Sequence, residues 1–143
     1  MQVSVIVDRP VDDVWKFVTD PSNHWDPGSL EMKQVSPGPP EVGAIFKVLR
    51  ASYPREMDFR LAQYEPNRKF TFEVDSGPIR GSRFEYDLEA VEEKTKLTEI
   101  ADYDMPGFFK LLSPIFGREG KIRSEGMGRV GTVKALLESE ARL

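Results

Sequence analysis

Pro10-Val11-Asp12-Asp13-Val14-Trp15-Lys16-Phe17-Val18-Thr19-Asp20-Pro21 reads as a short helix whose two ends are written into the chain. Val11, Val14, Trp15 and Val18 recur at i, i+3, i+4 and i+7, which places them on one face at 3.6 residues per turn. Pro10 suits the entry to the first turn, and Asp12 and Asp13 suit its positive end. Asp20-Pro21 stops the helix, because a residue before proline is pushed out of the helical region. The apolar face needs a cover. Upstream, Gln2 to Val7 is rich in valine and isoleucine, as a strand entering a core is. Downstream, a second short helix or turn carries His24 and Trp25 to Asp26-Pro27. Beyond Pro27 the chain is mostly strand, so it reads as a sheet with two short helices inserted after its first strand.

Glu31 to Ser36 reads as a short strand, and Pro37-Gly38-Pro39-Pro40 as a rigid turn that cannot join a central ladder. Further strands are expected over Ala44 to Ser52, Arg55 to Glu65, Arg68 to Ser76, Ile79 to Val91 and Lys94 to Met105. Their separators are short enough for antiparallel hairpins. Met57, Phe59 and Leu61 oppose Asp58 and Arg60; Phe70, Phe72 and Val74 oppose Thr71, Glu73 and Asp75; Phe84, Tyr86 and Leu88 oppose Arg83, Glu85 and Asp87. One face is therefore aromatic and the other wet, and the aromatic face must be covered by the early helices and by the stretch from Pro106 onward.

In that last stretch Ile122, Gly126, Val130, Val133 and Leu137 form an apolar stripe at helical spacing, the expected cover. Gly117, Gly120, Ser124, Gly128, Gly131 and Ala135 form a second register of small residues, roughly opposite. Each interior glycine costs about 1 kcal/mol relative to alanine, so the helix is weak on its own. The stripe reads as a surface held by tertiary contacts, as a movable cover over a pocket, or as a packing face for a second chain, which would make a homodimer. Phe108, Phe109, Leu111, Leu112, Ile115 and Phe116 are apolar on more than one face and read as core, as a lid, or as an exposed contact site.

The chain of 143 residues, 39% of them hydrophobic, is the size of one domain, taken here as residues 1–143. A net charge of -4 argues against nucleic acid as the main partner. No apolar run approaches the roughly 20 residues that span a bilayer. Without a basic-then-apolar leader, the expectation is a cytoplasmic protein. With no cysteine and a single histidine, thiol chemistry is excluded and a metal site or metal cofactor is not expected.

Taken in order, these pieces resemble the START-like, helix-grip (SRPBCC) superfamily, and within it the bacterial polyketide cyclase/dehydrase-like group. The resemblance rests on Pro10 to Asp20 with Trp25 following, Val42-Gly43-Ala44-Ile45-Phe46, Tyr64-Glu65-Pro66-Asn67-Arg68-Lys69-Phe70-Thr71-Phe72, Phe84-Glu85-Tyr86-Asp87-Leu88-Glu89, Thr95-Lys96-Leu97-Thr98 and Ala135-Leu136-Leu137-Glu138. It implies an α+β helix-grip fold, a curved antiparallel sheet of about seven strands gripping a long C-terminal helix, with a mostly apolar cavity between them. Members of the superfamily bind or carry lipids, quinones, hormones or polyketides. A few catalyse cyclisation or dehydration, and some assist other proteins. No catalytic motif is common to them, so none transfers.

A cavity of this kind would be walled by Met57, Phe59, Phe72, Phe84 and Tyr86, facing Phe108, Phe109, Leu112 and Val130. Arg55 and Ser82 share the register of the aromatic positions and are candidate polar contacts; an inward arginine would select a carboxylate or phenolate. Either Glu99 with Tyr103 or Thr98 with Asp102 faces inward. His24, Glu99 and Tyr103 are the candidate acid/base groups. The expected function is binding of a small hydrophobic or aromatic molecule. The alternatives are a cyclase, dehydratase or isomerase using an acid/base in the cavity, and an interaction module with a filled core. The residues leave open whether any reaction is catalysed.

Overall fold

The structure, a computed structural model, describes residues 1–23, 25–51, 54–104 and 118–140, with the side chains of 118–121 and 140 left aside. Its seven strands are β1 (Gln2–Val7), β2 (Ser29–Gln34), β3 (Ile45–Arg50), β4 (Glu56–Glu65), β5 (Lys69–Val74), β6 (Arg83–Val91) and β7 (Lys94–Asp102). They form one antiparallel sheet in the order β1-β7-β6-β5-β4-β3-β2. Strands β2 to β7 are a hairpin meander, and β1 closes it by pairing with β7. Register shifts between Leu61 and Gln63 in β4, and between Ser29 and Glu31 in β2, bend the sheet as bulges do.

Helix α1 (Val11–Val18) buries Val14, Trp15, Phe17 and Val18, the face its spacing marks out. The second short helix is a single 3-10 turn, Pro21–Asn23, tied back by the Asn23 side-chain amide donating to the Phe17 carbonyl at 2.9 Å. Trp15 packs on Tyr64 and Phe70 with ring centroids 5.2 and 5.7 Å away. The long helix α2 (Arg118–Glu140) buries Val130, Val133 and Leu137. Along its length it is fastened to β1: Arg123 donates to the Gln2 carbonyl and the Lys134 ammonium to the Ile6 carbonyl. The fold is therefore α+β, a curled sheet closed over a C-terminal helix.

The strand ends depart from the sequence reading in ways the turns explain. Strand β2 runs two residues earlier than expected, because Ser36 has left the ladder and its hydroxyl accepts from the Ile45 amide at 2.9 Å. Strand β6 begins at Arg83 rather than Ile79: residues 77–81 make a turn in which the Gly81 and Ser82 amides donate to the Val74 and Ile79 carbonyls. Strand β7 ends at Asp102, and Met105 lies outside the described residues.

Candidate functional site

The concave face of the sheet is not filled. Between it, the loop after α1 and one side of α2 lies a cavity of about 530 Å³. Met57, Phe59, Phe72, Phe84 and Tyr86 all line it, joined by Phe46, Leu61 and Phe70. The rings make one contact sheet, with Phe59 stacked on Phe84 at 5.9 Å, Phe70 stacked on Tyr86 at 4.9 Å and Phe46 edge-on to Phe72 at 5.3 Å. Aromatic pairs of this geometry hold each other's orientation, so the wall is preformed.

At one end of this wall sits a polar cluster that joins the sheet to the helix. Glu99 on β7 is 0% exposed, and three donors meet its two oxygens. The Tyr86 hydroxyl donates to Oε1 at 2.5 Å, and Arg129 of α2 donates through Nε to Oε1 at 2.6 Å and through Nη2 to Oε2 at 3.1 Å. The guanidinium carbon lies 5.6 Å from the Phe84 ring centre, and Tyr103 stands edge-on to the same ring at 5.3 Å, beside Arg129. Trp25 leans edge-on against Tyr86 at 5.2 Å, its indole N–H donating to the Val18 carbonyl at 3.1 Å. Arg129, Tyr86, Tyr103 and Trp25 face the cavity, whereas Glu99 lies behind them and does not line it.

Burial, and then the charge of Glu99, lifts the Tyr86 phenol well above its ordinary value. Burial likewise raises Tyr103, with Arg129 pulling the other way. Burial works against the charge of Arg129, but the hydrogen-bonded Glu99 carboxylate more than offsets it and keeps the guanidinium protonated. At neutral pH the cluster is thus two protonated phenols and one neutralised ion pair.

Gly126 makes the cluster possible. A Cβ there would lie 2.7 Å from Glu99 Oε2, 2.7 Å from the Met1 methyl and 3.1 Å from Val3 Cγ2, so only glycine lets the helix approach this closely. In the small-residue register, Ser124 and Gly128 line the cavity, while a Cβ at Gly131 would meet nothing within 4 Å and Ala135 is exposed.

Three expected contacts lie elsewhere. Arg55 precedes β4 and is exposed: its carbonyl accepts from the Arg50 amide, and its side chain is outside the cavity. Ser82 is fully buried but is used by the fold, its hydroxyl accepting from the Asp104 amide at 2.8 Å. Val130 packs in the core, 0% exposed, and is not on the cavity wall. Of the two inward registers on β7, it is Glu99 and Tyr103 that turn toward the helix, and Asp102 is exposed. His24, Phe108, Phe109 and Leu112, together with the rest of the apolar stretch to Phe116, lie outside the described residues.

Besides Trp25, Phe46, Leu61 and Phe70 on the wall, sequence reasoning missed Arg129 of the polar cluster. The signal was present: Gly126, Arg129, Val130 and Val133 stand at i, i+3, i+4 and i+7, so an arginine sits on the covered face of α2 and needs a buried partner.

A curved antiparallel sheet wrapped against a terminal helix, with an aromatic cavity between them, defines the class of helix-grip cavity proteins. The chain belongs to the polyketide cyclase / dehydrase and lipid transport family, whose model matches residues 1–135. No curated protein matches it. Among solved structures it is similar to a Polyketide_cyc-like protein of Corynebacterium glutamicum, at 23% identity over 99% of this chain and 92% of that one, TM-score 0.59. It is also similar to truncated norcoclaurine synthase of Thalictrum flavum, at 13% identity over 96% and 91% of the two chains, TM-score 0.68. The di-domain ARO/CYC StfQ from the steffimycin biosynthetic pathway matches at 12% identity and TM-score 0.76; all of this chain is covered, but only 52% of that one. At these identities the likeness is one of fold. Among the described residues no helix is long and apolar enough to cross a membrane.

Proposed function

We propose that the protein binds a small hydrophobic or aromatic molecule, of lipid, quinone or polyketide-like character, in the cavity between the sheet and α2. The observation that carries this reading is the open, ring-lined space of about 530 Å³, on whose wall Arg129, Tyr86 and Tyr103 form a polar cluster. Family membership supports it, since the family spans cyclases, dehydrases and lipid transport. Phe59, Phe72 and Phe84 would hold the apolar body, and Arg129 with Tyr103 would orient its polar end. Binding needs nothing further. Proton transfer would call for a group poised near neutrality, and both phenols on this wall hold their protons far above it.

Native mass spectrometry of the purified protein, with displacement by naphthalene followed through Trp25 fluorescence, tests the reading. A co-purifying small molecule or saturable quenching is expected. A Phe59→Trp/Phe84→Trp variant, which fills the space, should lose about tenfold or more in affinity while remaining folded. Equal affinity in the filled variant would refute the cavity as the site.

A further inference from the structure

Of the two arginines that line the cavity, Arg50 and Arg129, it is Arg129 that stands with Tyr86 and Tyr103, near the carboxylates of Asp26 and Glu125, and its charge is already answered by Glu99. Two of its five N–H donors are spent on Glu99, which is itself sealed from the cavity behind Arg129 and Tyr86. What remains toward the cavity is the rest of the guanidinium fork, part of it bonded to Tyr103, and the Tyr103 O–H beside it: donors next to a pair whose net charge is zero. A carboxylate entering here would meet a second carboxylate directly behind the arginine and would give up its water for no net counter-charge. An uncharged oxygen loses much less on leaving water and gains the same donors.

We infer that Glu99 sets the charge selectivity of the cavity: by neutralising Arg129 it makes the inner wall a donor site for an uncharged oxygen and closes it to an anion. The inference rests on the proposed binding role. It makes Glu99 a specificity-determining residue that never touches the ligand and acts through Arg129. Glu99→Gln keeps the side-chain shape and one acceptor but unmasks the cation, so the preference turns toward carboxylates.

The test uses two probes of nearly equal shape, 1-acetylnaphthalene and 1-naphthoate, with naphthalene as the purely apolar reference, titrated against tryptophan fluorescence at neutral pH. In the wild-type chain the ketone is expected to bind about tenfold more tightly than the carboxylate. In Glu99→Gln the carboxylate is expected to gain about tenfold while naphthalene is unmoved. The double variant Glu99→Gln/Arg129→Gln, which buries no charge, is expected to discriminate against naphthoate as the wild type does. Wild-type preference for naphthoate, or a ketone-to-carboxylate ratio that Glu99→Gln does not move, overturns the inference while leaving the cavity reading intact. Failure of all three probes, naphthalene included, to bind the folded wild type overturns both. Should Glu99→Gln not fold, the wild-type ratio still decides, together with Tyr103→Phe, which must weaken the ketone about threefold or more relative to naphthalene; an unchanged ketone-to-naphthalene ratio there overturns the inference.

Discussion

Two carboxylates sit on opposite faces of the same pair of strands and fare differently. Glu99 on the concave face of β7 lies across from Tyr86, and Asp87 on the convex face of β6 lies across from Thr98. Glu99 is completely buried and meets three donors. Asp87 is only half-buried, yet one of its oxygens is sealed from water and has no hydrogen-bond partner among the described residues. Burial first, and then the hydrogen bond and charge of Glu85, push Asp87 up to about 6, with Lys69 and Arg68 only partly opposing. The two sites differ in their partners as much as in their depth. What counts is whether the opposite element supplies donors, and α2 supplies them on one face only.

The largest effect should come from breaking the satisfied pair on one side. Arg129→Met leaves Glu99 buried and uncompensated, and is expected to cost about 3–5 kcal/mol in urea unfolding at pH 7.5. Arg129→Met/Glu99→Leu removes both charges and should recover most of that loss. A single variant within about 1 kcal/mol of wild type would mean that water reaches Glu99 and that the concave face owes little to the pair.

The same contrast explains how much was legible in the sequence. The sheet was readable because a strand declares its faces every second residue: Phe59, Phe72, Phe84 and Tyr86 alternate with Arg60, Glu73 and Glu85, and no knowledge of the partner strand is needed to sort them. Arg55 escapes that reading because the alternation of residue types runs on past the point where the backbone leaves the ladder. Ser82 is buried as its register predicts, but its hydroxyl accepts from the Asp104 amide, which alternation cannot show. The Glu99–Arg129 pair could not be found by period alone, since its members lie 30 residues apart on a strand and a helix. Gly126 falls in the apolar stripe by spacing, but its purpose appears only once Glu99 and Met1 are seen against it.

Two glycines of α2 sharpen the point at intermediate size. Alanine at Gly126 gains helix propensity but drives its methyl into Glu99 Oε2, which the bidentate arginine holds in place, so a net loss of about 1–3 kcal/mol is expected. At Gly131, where added atoms meet open space, alanine should stabilise by up to about 1 kcal/mol. Equilibrium unfolding of the two variants side by side measures the difference. Equal and positive effects at both positions would show that the helix does not press against the carboxylate.

The smallest effect belongs to the convex face and depends on pH. Because the folded state holds the Asp87 proton more tightly than the unfolded chain does, this group favours folding fully below about pH 4 and loses that contribution as pH rises through about 6. Asp87→Asn cannot ionise and keeps the neutral shape. It should therefore raise Tm by about 2–4 °C at pH 8, a value held down by the partial exposure of the site, and the gain should fade toward zero by about pH 4. A thermal scan series across that range reads the trend directly. A gain that stayed constant with pH would assign the effect to packing, and a loss at pH 8 would mean that Lys69 and Arg68 compensate the carboxylate after all, erasing the asymmetry between the two faces.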